Sequence, residues 1–140
     1  ESTKAEYPDK YIVTVFGCGG NRSRQRRFDC GEVSGRYADL SIITSDNPRY
    51  EKNEDIVKDI LVGMEKTSGK YIIIHDRRAA IKYSIVNAKE GDVILLLGKG
   101  HEDYQIINGE TYPFDERVVI RDIIKELSDE EIEKLGIVRW

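Results

Sequence analysis

Four short β-prone runs alternate with segments whose apolar residues return at helical spacing, and no other feature restricts the fold of this chain as much. The runs are residues 11–16 (YIVTVF), 40–44 (LSIIT), 71–75 (YIIIH) and 93–97 (VILLL). Between the second and third, Ile56, Val57, Ile60, Leu61 and Met64 share one face of a helix over 53–64, with Asn53 as its N-cap. Ala80, Ile81, Ser84, Ile85 and Ala88 repeat the spacing after Asp76, and Val119, Ile120, Ile123, Ile124 and Leu127 repeat it after Asp115. A further helix is expected from Asp29 or Gly31 to Ala38, with Val33 and Tyr37 facing inward. Strands separated by helices in this way build a parallel sheet with right-handed crossovers. The run at 93–97 is apolar throughout and should be its most buried strand. Asn108-Gly109 between residues 104–107 and 110–112 marks a β-hairpin, and Ser128 opens a short last helix. The expected fold is an α/β domain over residues 11–140, with helices on both faces of a mostly parallel sheet, after a polar lead-in or linker at 1–10.

Strands of a parallel sheet point the same way, so their C-terminal ends share one rim, where open α/β sheets hold ligands. Three of those ends carry glycine or charge: residues 17–27, 45–49 and 98–102. The middle one is the stiffest. Pro48 fixes its own φ and donates no hydrogen bond, and Asn47 before it is pushed out of the helical region. The resulting elbow sets the carboxylate of Asp46, the amide of Asn47 and the guanidinium of Arg49 within four residues. That set suits a small zwitterion; an Asx turn opening a helix is the other reading of D-N-P. In the first loop Gly17, Gly19 and Gly20 let backbone amides face an anion, and Arg22, Arg24, Arg26 and Arg27 add attraction. Arginines in a loop are often solvated surface charge, so one or two of the four are expected to matter. In the third loop Gly98 and Gly100 flank Lys99 and permit close backbone approach. There Glu102 offers a carboxylate to an ammonium group, while a lone His101 beside a turn is more often structural than a base.

Other chemistries fit less well. Arg22 stands where G-x-G-x-x-G needs its third glycine, and G-x-x-x-x-G-K-[ST] does not occur in the chain. A stand-alone nucleotide- or dinucleotide-binding module on the Gly17–Arg22 turn is thus the runner-up. A net charge of −4 and a pI near 5.3 argue against nucleic acid or an anionic membrane as partner. No apolar run reaches the ~20 residues of a membrane span. Cys18 and Cys30 have neither redox nor zinc spacing, and His75 and His101 add no metal set. Such cysteines read as structural or incidental thiols, kept reduced in a cytoplasmic protein. The chain begins at Glu1 and its only methionine is Met64, so a piece of a longer protein is expected.

Three stretches occur in order at a familiar spacing: Val15-Phe16-Gly17-Cys18-Gly19-Gly20-Asn21-Arg22, Thr44-Ser45-Asp46-Asn47-Pro48-Arg49 and Gly98-Lys99-Gly100-His101-Glu102-Asp103-Tyr104. With them, residues 11–127 resemble the C-terminal, glutamate-ligase domain of the Mur ligases. Within that family D-N-P-R resembles the tripeptide-synthetase branch, which adds meso-diaminopimelate to UDP-N-acetylmuramoyl-L-alanyl-D-glutamate in peptidoglycan synthesis. The resemblance implies a Rossmann-like domain in which Arg22, Asp46, Asn47, Pro48, Arg49, Gly98 and Glu102 bind the incoming diaminopimelate. Arg49 would pair with its distal carboxylate, and Asp46, Asn47 or Glu102 would take an amino group. ATP and Mg2+ would be bound mainly by a central domain outside this chain, with no cofactor in this domain alone. Two acids that usually flank the family's arginine are replaced here by Asn21 and Ser23, while Arg22 itself is in place.

Overall fold

The structure is a computed structural model that describes residues 10–20, 23–89, 92–97, 104–107 and 109–127. Its strands β1 (Ile12–Phe16), β2 (Leu40–Ile43), β3 (Lys70–Ile73) and β4 (Val93–Leu96) form one parallel sheet in the order β3-β2-β1-β4. Three helices fall between them: α1 (Arg24–Tyr37), α2 (Asn53–Met64) and α3 (Arg77–Val86). A separate antiparallel hairpin follows, β5 (Tyr104–Ile107) with β6 (Glu110–Pro113), and then α4 (Glu116–Glu126).

The side-chain alternation of β1 sorts the core into two layers. Val13 and Val15 face one side, where Ile42, Ala80 and Ile81 of α3 and Ile123 of α4 close around them. Phe16 faces the other, with Ile43 and the α2 residues Ile56, Val57, Ile60 and Met64. The apolar faces read from helical spacing in α2, α3 and α4 are thus the faces that pack. Asp76 and Asp115 cap their helices by accepting from the Ala79 and Arg117 amides. Asn53 does not cap α2; it is the first helical residue, and its side-chain nitrogen donates to the Thr44 carbonyl at 3.3 Å.

Two further expectations are corrected. α1 starts at Arg24, so most of the arginine-rich stretch read as a loop is its first turn. Its buried residues are Arg27, Gly31, Ser34 and Gly35, whereas Val33 is 47% exposed. The reason is close approach. A Cβ on Gly31 would collide with the Ile60 carbonyl oxygen, and one on Gly63 would collide with that of Phe28. Backbone therefore meets backbone across the α1–α2 contact, leaving no room for an apolar stripe. Below it, Ser34 shares buried hydroxyl hydrogen bonds with Thr14 at 2.7 Å and Ser41 at 2.6 Å, which fasten α1 to β1 and β2. Nor is β4 the most buried strand: it lies at an edge of the four and is only half-buried, whereas every residue of β1 is buried. The short helix expected from Ser128 and the lead-in before Lys10 lie outside the described residues.

Candidate functional site

Because β1, β2 and β4 are parallel neighbours, their C-terminal ends lie on one rim. The 45–49 elbow leaves that rim as a hub for two other segments, the glycine loop and the hairpin. The Gly20 amide donates to the Asn47 carbonyl at 2.7 Å, and a Cβ on Gly20 would collide with the Pro48 carbonyl. The Ile106 amide donates to the side-chain oxygen of Asn47 at 3.0 Å, and the Arg49 amide donates to the Ile106 carbonyl at 3.0 Å. Gln105 donates to the Ser45 hydroxyl at 2.7 Å. These bonds dock the hairpin on the elbow, and Arg49 pairs with Ile107 as an isolated parallel bridge.

Each expected site residue has a distinct setting. Asn47 and Pro48 are buried, and Asp46 and Arg49 are half-buried. Arg49 has φ +56°, a left-handed conformation uncommon for a residue with a side chain. Its Nη1 donates to the carbonyls of Gly20 at 3.0 Å and Asn47 at 3.3 Å. A guanidinium carries five N–H donors, so these bonds orient the fork without exhausting it. Asp46, Asn47 and Arg49 line a cavity of about 600 Å³ together with Gly17, Cys18 and Gly19. The cavity continues as a groove down β1 and β4, past Thr14 and Leu95, along α1 to Tyr37 and Ala38. Arg22, Gly98 and Glu102 lie outside the described residues. Their neighbours Ser23 and Leu97 line the same cavity. Two of the three loops are therefore in direct contact, and the third lies outside the described residues.

Two buried arginines have roles that the sequence did not show: Arg77 was given none, and Arg27 was read as attraction for an anion in the first loop. Arg77, at the start of α3, is 1% exposed and donates to the Ser45 carbonyl at 2.9 Å and the Leu97 carbonyl at 3.0 Å. It binds the rim ends of β2 and β4 to each other. Arg27 is also buried; it donates to Asp59 of α2 at 2.8 Å, to Glu51 at 2.9 Å and to the Gly19 carbonyl at 3.2 Å. Arg24 reaches Asp59 as well, at 2.9 Å. Hydrogen bonds from Arg24, then Arg27, hold the Asp59 carboxyl below its ordinary value of 3.8 against the opposing effect of burial. Of the four arginines, Arg24 and Arg27 have structural partners in this network. The only sequence signal for Arg77 was its place one residue after the Asp76 cap.

A parallel α/β sheet carrying a proline-stiffened, charged elbow at its carboxyl rim is a domain of Rossmann-like type, a class in which that rim is the usual place for a ligand. Residues 1–100 match the family described as Mur ligase, glutamate ligase domain, and the chain belongs to that family. It is 49% identical over 121 residues to a UDP-N-acetylmuramoyl-L-alanyl-D-glutamate--2,6-diaminopimelate ligase of Caldanaerobacter subterraneus subsp. tengcongensis, covering 86% of this chain and 25% of the relative. It is 51% identical over 113 residues to the ligase of the same name from Aquifex aeolicus, covering 81% and 23%. A solved structure bearing that ligase name superposes with a TM-score of 0.78 at 42% identity, over 82% of this chain and 24% of the other. The chain thus spans about a quarter of the length of the relatives it matches. Among the described residues no helix is long and apolar enough to cross a membrane, and no group of three or more His, Cys, Asp or Glu could hold a metal ion.

Proposed function

We propose that this chain is the amino-acid-binding domain of an ATP-dependent ligase that adds meso-diaminopimelate to UDP-N-acetylmuramoyl-L-alanyl-D-glutamate in the cytoplasm. The observation that carries the reading is Arg49, held in a left-handed conformation, tethered through one nitrogen and lining the cavity together with Asp46. Strained backbone at a ligand-facing position is a signature of function. A fixed fork there takes a carboxylate in bidentate fashion, which separates diaminopimelate from lysine, its analogue with no distal carboxylate. Asp46, with Glu102, supplies negative charge for an ammonium group. Arg22 and Gly98 complete the ligand's surroundings in this reading. Asn47 contributes chiefly by position, since its side-chain oxygen already holds the hairpin.

ATP and Mg2+ are the cofactors of the reaction in this reading. The chain has no phosphate-loop pattern, and its described residues offer no metal set, so no step through ATP is assigned to them. What this domain contributes is orientation: it holds the amino acid so that its attacking amine is presented in one geometry.

The test is competition between diaminopimelate and lysine in the ligase that contains this chain. Arg49→Ala should lose about 2–5 kcal/mol of discrimination, the range for breaking a buried charge pair. Unchanged discrimination would reject the assignment. Tight NAD binding with no amino-acid binding would favour a dinucleotide-binding module instead.

A further inference from the structure

The first strand of the hairpin runs along one side of the elbow and holds alternate residues of it. The side-chain nitrogen of Gln105 donates to the Ser45 hydroxyl at 2.7 Å. The Ile106 amide donates to the side-chain oxygen of Asn47, and the Ile106 carbonyl accepts from the Arg49 amide, both at 3.0 Å. Arg49 then pairs with Ile107. Beyond it Gly109, at φ +77°, lies so near the Tyr50 ring that a Cβ would collide with it. Residues 45, 47 and 49 are thus tied, one after another, to residues 105–107. Among these bonds the one from Gln105 is special. Backbone bonds are blind to sequence, so a strand that slipped by two residues, about 7 Å, could make them again. A two-stranded hairpin is also marginal by itself and depends on what it docks against. Gln105 is the buried residue of β5, 6% exposed, and its partner Ser45 is 5% exposed. A buried amide facing anything but a hydrogen-bond partner is costly, so this bond admits one register. Ser45 cannot follow a shifting hairpin, because Arg77 holds its carbonyl at 2.9 Å.

We propose that Gln105 is a positioning residue for amino-acid specificity: by fixing β5 in register on the elbow, it holds the Arg49 backbone left-handed and so aims the guanidinium. The inference rests on the reading of Arg49 as the carboxylate-binding group and adds what keeps that group in place. Gln105 is no part of the cavity wall, so it acts through the elbow. The register it sets puts the Ile106 carbonyl opposite the Arg49 amide. That bond helps to hold a φ that a residue with a Cβ adopts only at a cost. Without it Arg49 relaxes to ordinary backbone, and its fork leaves the direction from which it faces the cavity. A misplacement of about 1 Å at a ligand-orienting group is enough to cost a factor of about 100.

The test is a double-mutant cycle in the ligase that contains this chain, read as the ratio of kcat/KM for diaminopimelate to that for lysine. This ratio does not depend on how much of the enzyme is folded, so a merely structural role for Gln105 would leave it unchanged. Gln105→Leu, of similar size but without the amide, should lower the ratio about tenfold, with the change in the KM for diaminopimelate and not in that for the nucleotide substrate. Ser45→Ala removes the acceptor, keeps the carbonyl bond to Arg77, and should lower the ratio by as much. In an Arg49→Ala background neither change should lower it further, because the group that they position is gone. If Arg49→Ala lowers the ratio while Gln105→Leu and Ser45→Ala do not, or if these two lower it as much without Arg49 as with it, the positioning role is overturned and the reading of Arg49 survives. If Arg49→Ala itself leaves the ratio unchanged, that reading falls and this inference falls with it.

Discussion

Arg49 combines two requirements that normally conflict. Its left-handed φ of +56° costs about 1–2 kcal/mol for a residue with a Cβ, yet only a long guanidinium there can reach the Gly20 carbonyl and still face the cavity. Glycine would remove the strain together with the guanidinium that the proposed function requires. Arg49→Gly should therefore be more stable than Arg49→Ala by about 1 kcal/mol in urea unfolding, while both lose diaminopimelate discrimination equally. Equal stability of the two variants would mean that the left-handed backbone is not retained. Pro48 made this elbow legible in the sequence, since the restrictions it places on itself and on Asn47 are local. The conformation of Arg49 was not legible, because it is set by Gly20 and Ile106, residues brought in from the loop after β1 and from the hairpin.

At the scale of elements, α1 shows where apolar periodicity fails. The faces of α2, α3 and α4 were readable because Ile, Val, Leu and Met mark them. The inner face of α1 is Arg27, Gly31, Ser34 and Gly35, so its packing leaves no hydrophobic trace. Gly31→Ala should cost about 1–3 kcal/mol by forcing α1 away from the Ile60 carbonyl. Val33→Ala, on the exposed side, should stay within about 0.5 kcal/mol. If Val33→Ala proved the more damaging, the helix would have to be rotated. The ion pairs across this contact add a pH dependence. Asp59 has its folded value below its unfolded one, so its contribution is fully present above the ordinary 3.8 and is lost as pH falls through the folded value. The stability gap between the parent protein and Asp59→Asn, measured by urea unfolding from pH 7 downward, should hold to about pH 5 and close in more acid solution. A gap that widened in acid would contradict the pairing.

Across the whole molecule, sheet order and contacts between distant segments decide what the site can be. Apolar content made β4 look the most buried strand, but its neighbours are set by topology, and it lies at an edge of the four-stranded sheet. The meeting of the loops after β1 and β2 could be read from the parallel alternation alone. The clamp that holds them could not, because Arg77 reaches its two carbonyls over 32 and 20 residues of sequence. One guanidinium, at the start of α3, fixes the strand end leading to Asp46 and the strand end leading to Gly98. Arg77→Ala would strip donors from the Ser45 and Leu97 carbonyls, at about 1–3 kcal/mol for each buried acceptor left unsatisfied. Arg77→Lys, a point charge without the planar fork, should recover only part of the loss. A purely structural role would lower stability and leave the proposed amino-acid site intact in the molecules that remain folded. The clamp reading requires more. Amide exchange should quicken at residues 45–49 and 97 while the α1–α2 contact keeps its protection, and the KM for diaminopimelate should rise with kcat little changed. Uniform loss of protection across the sheet, with KM unaltered, would show that Arg77 serves the core and not the rim.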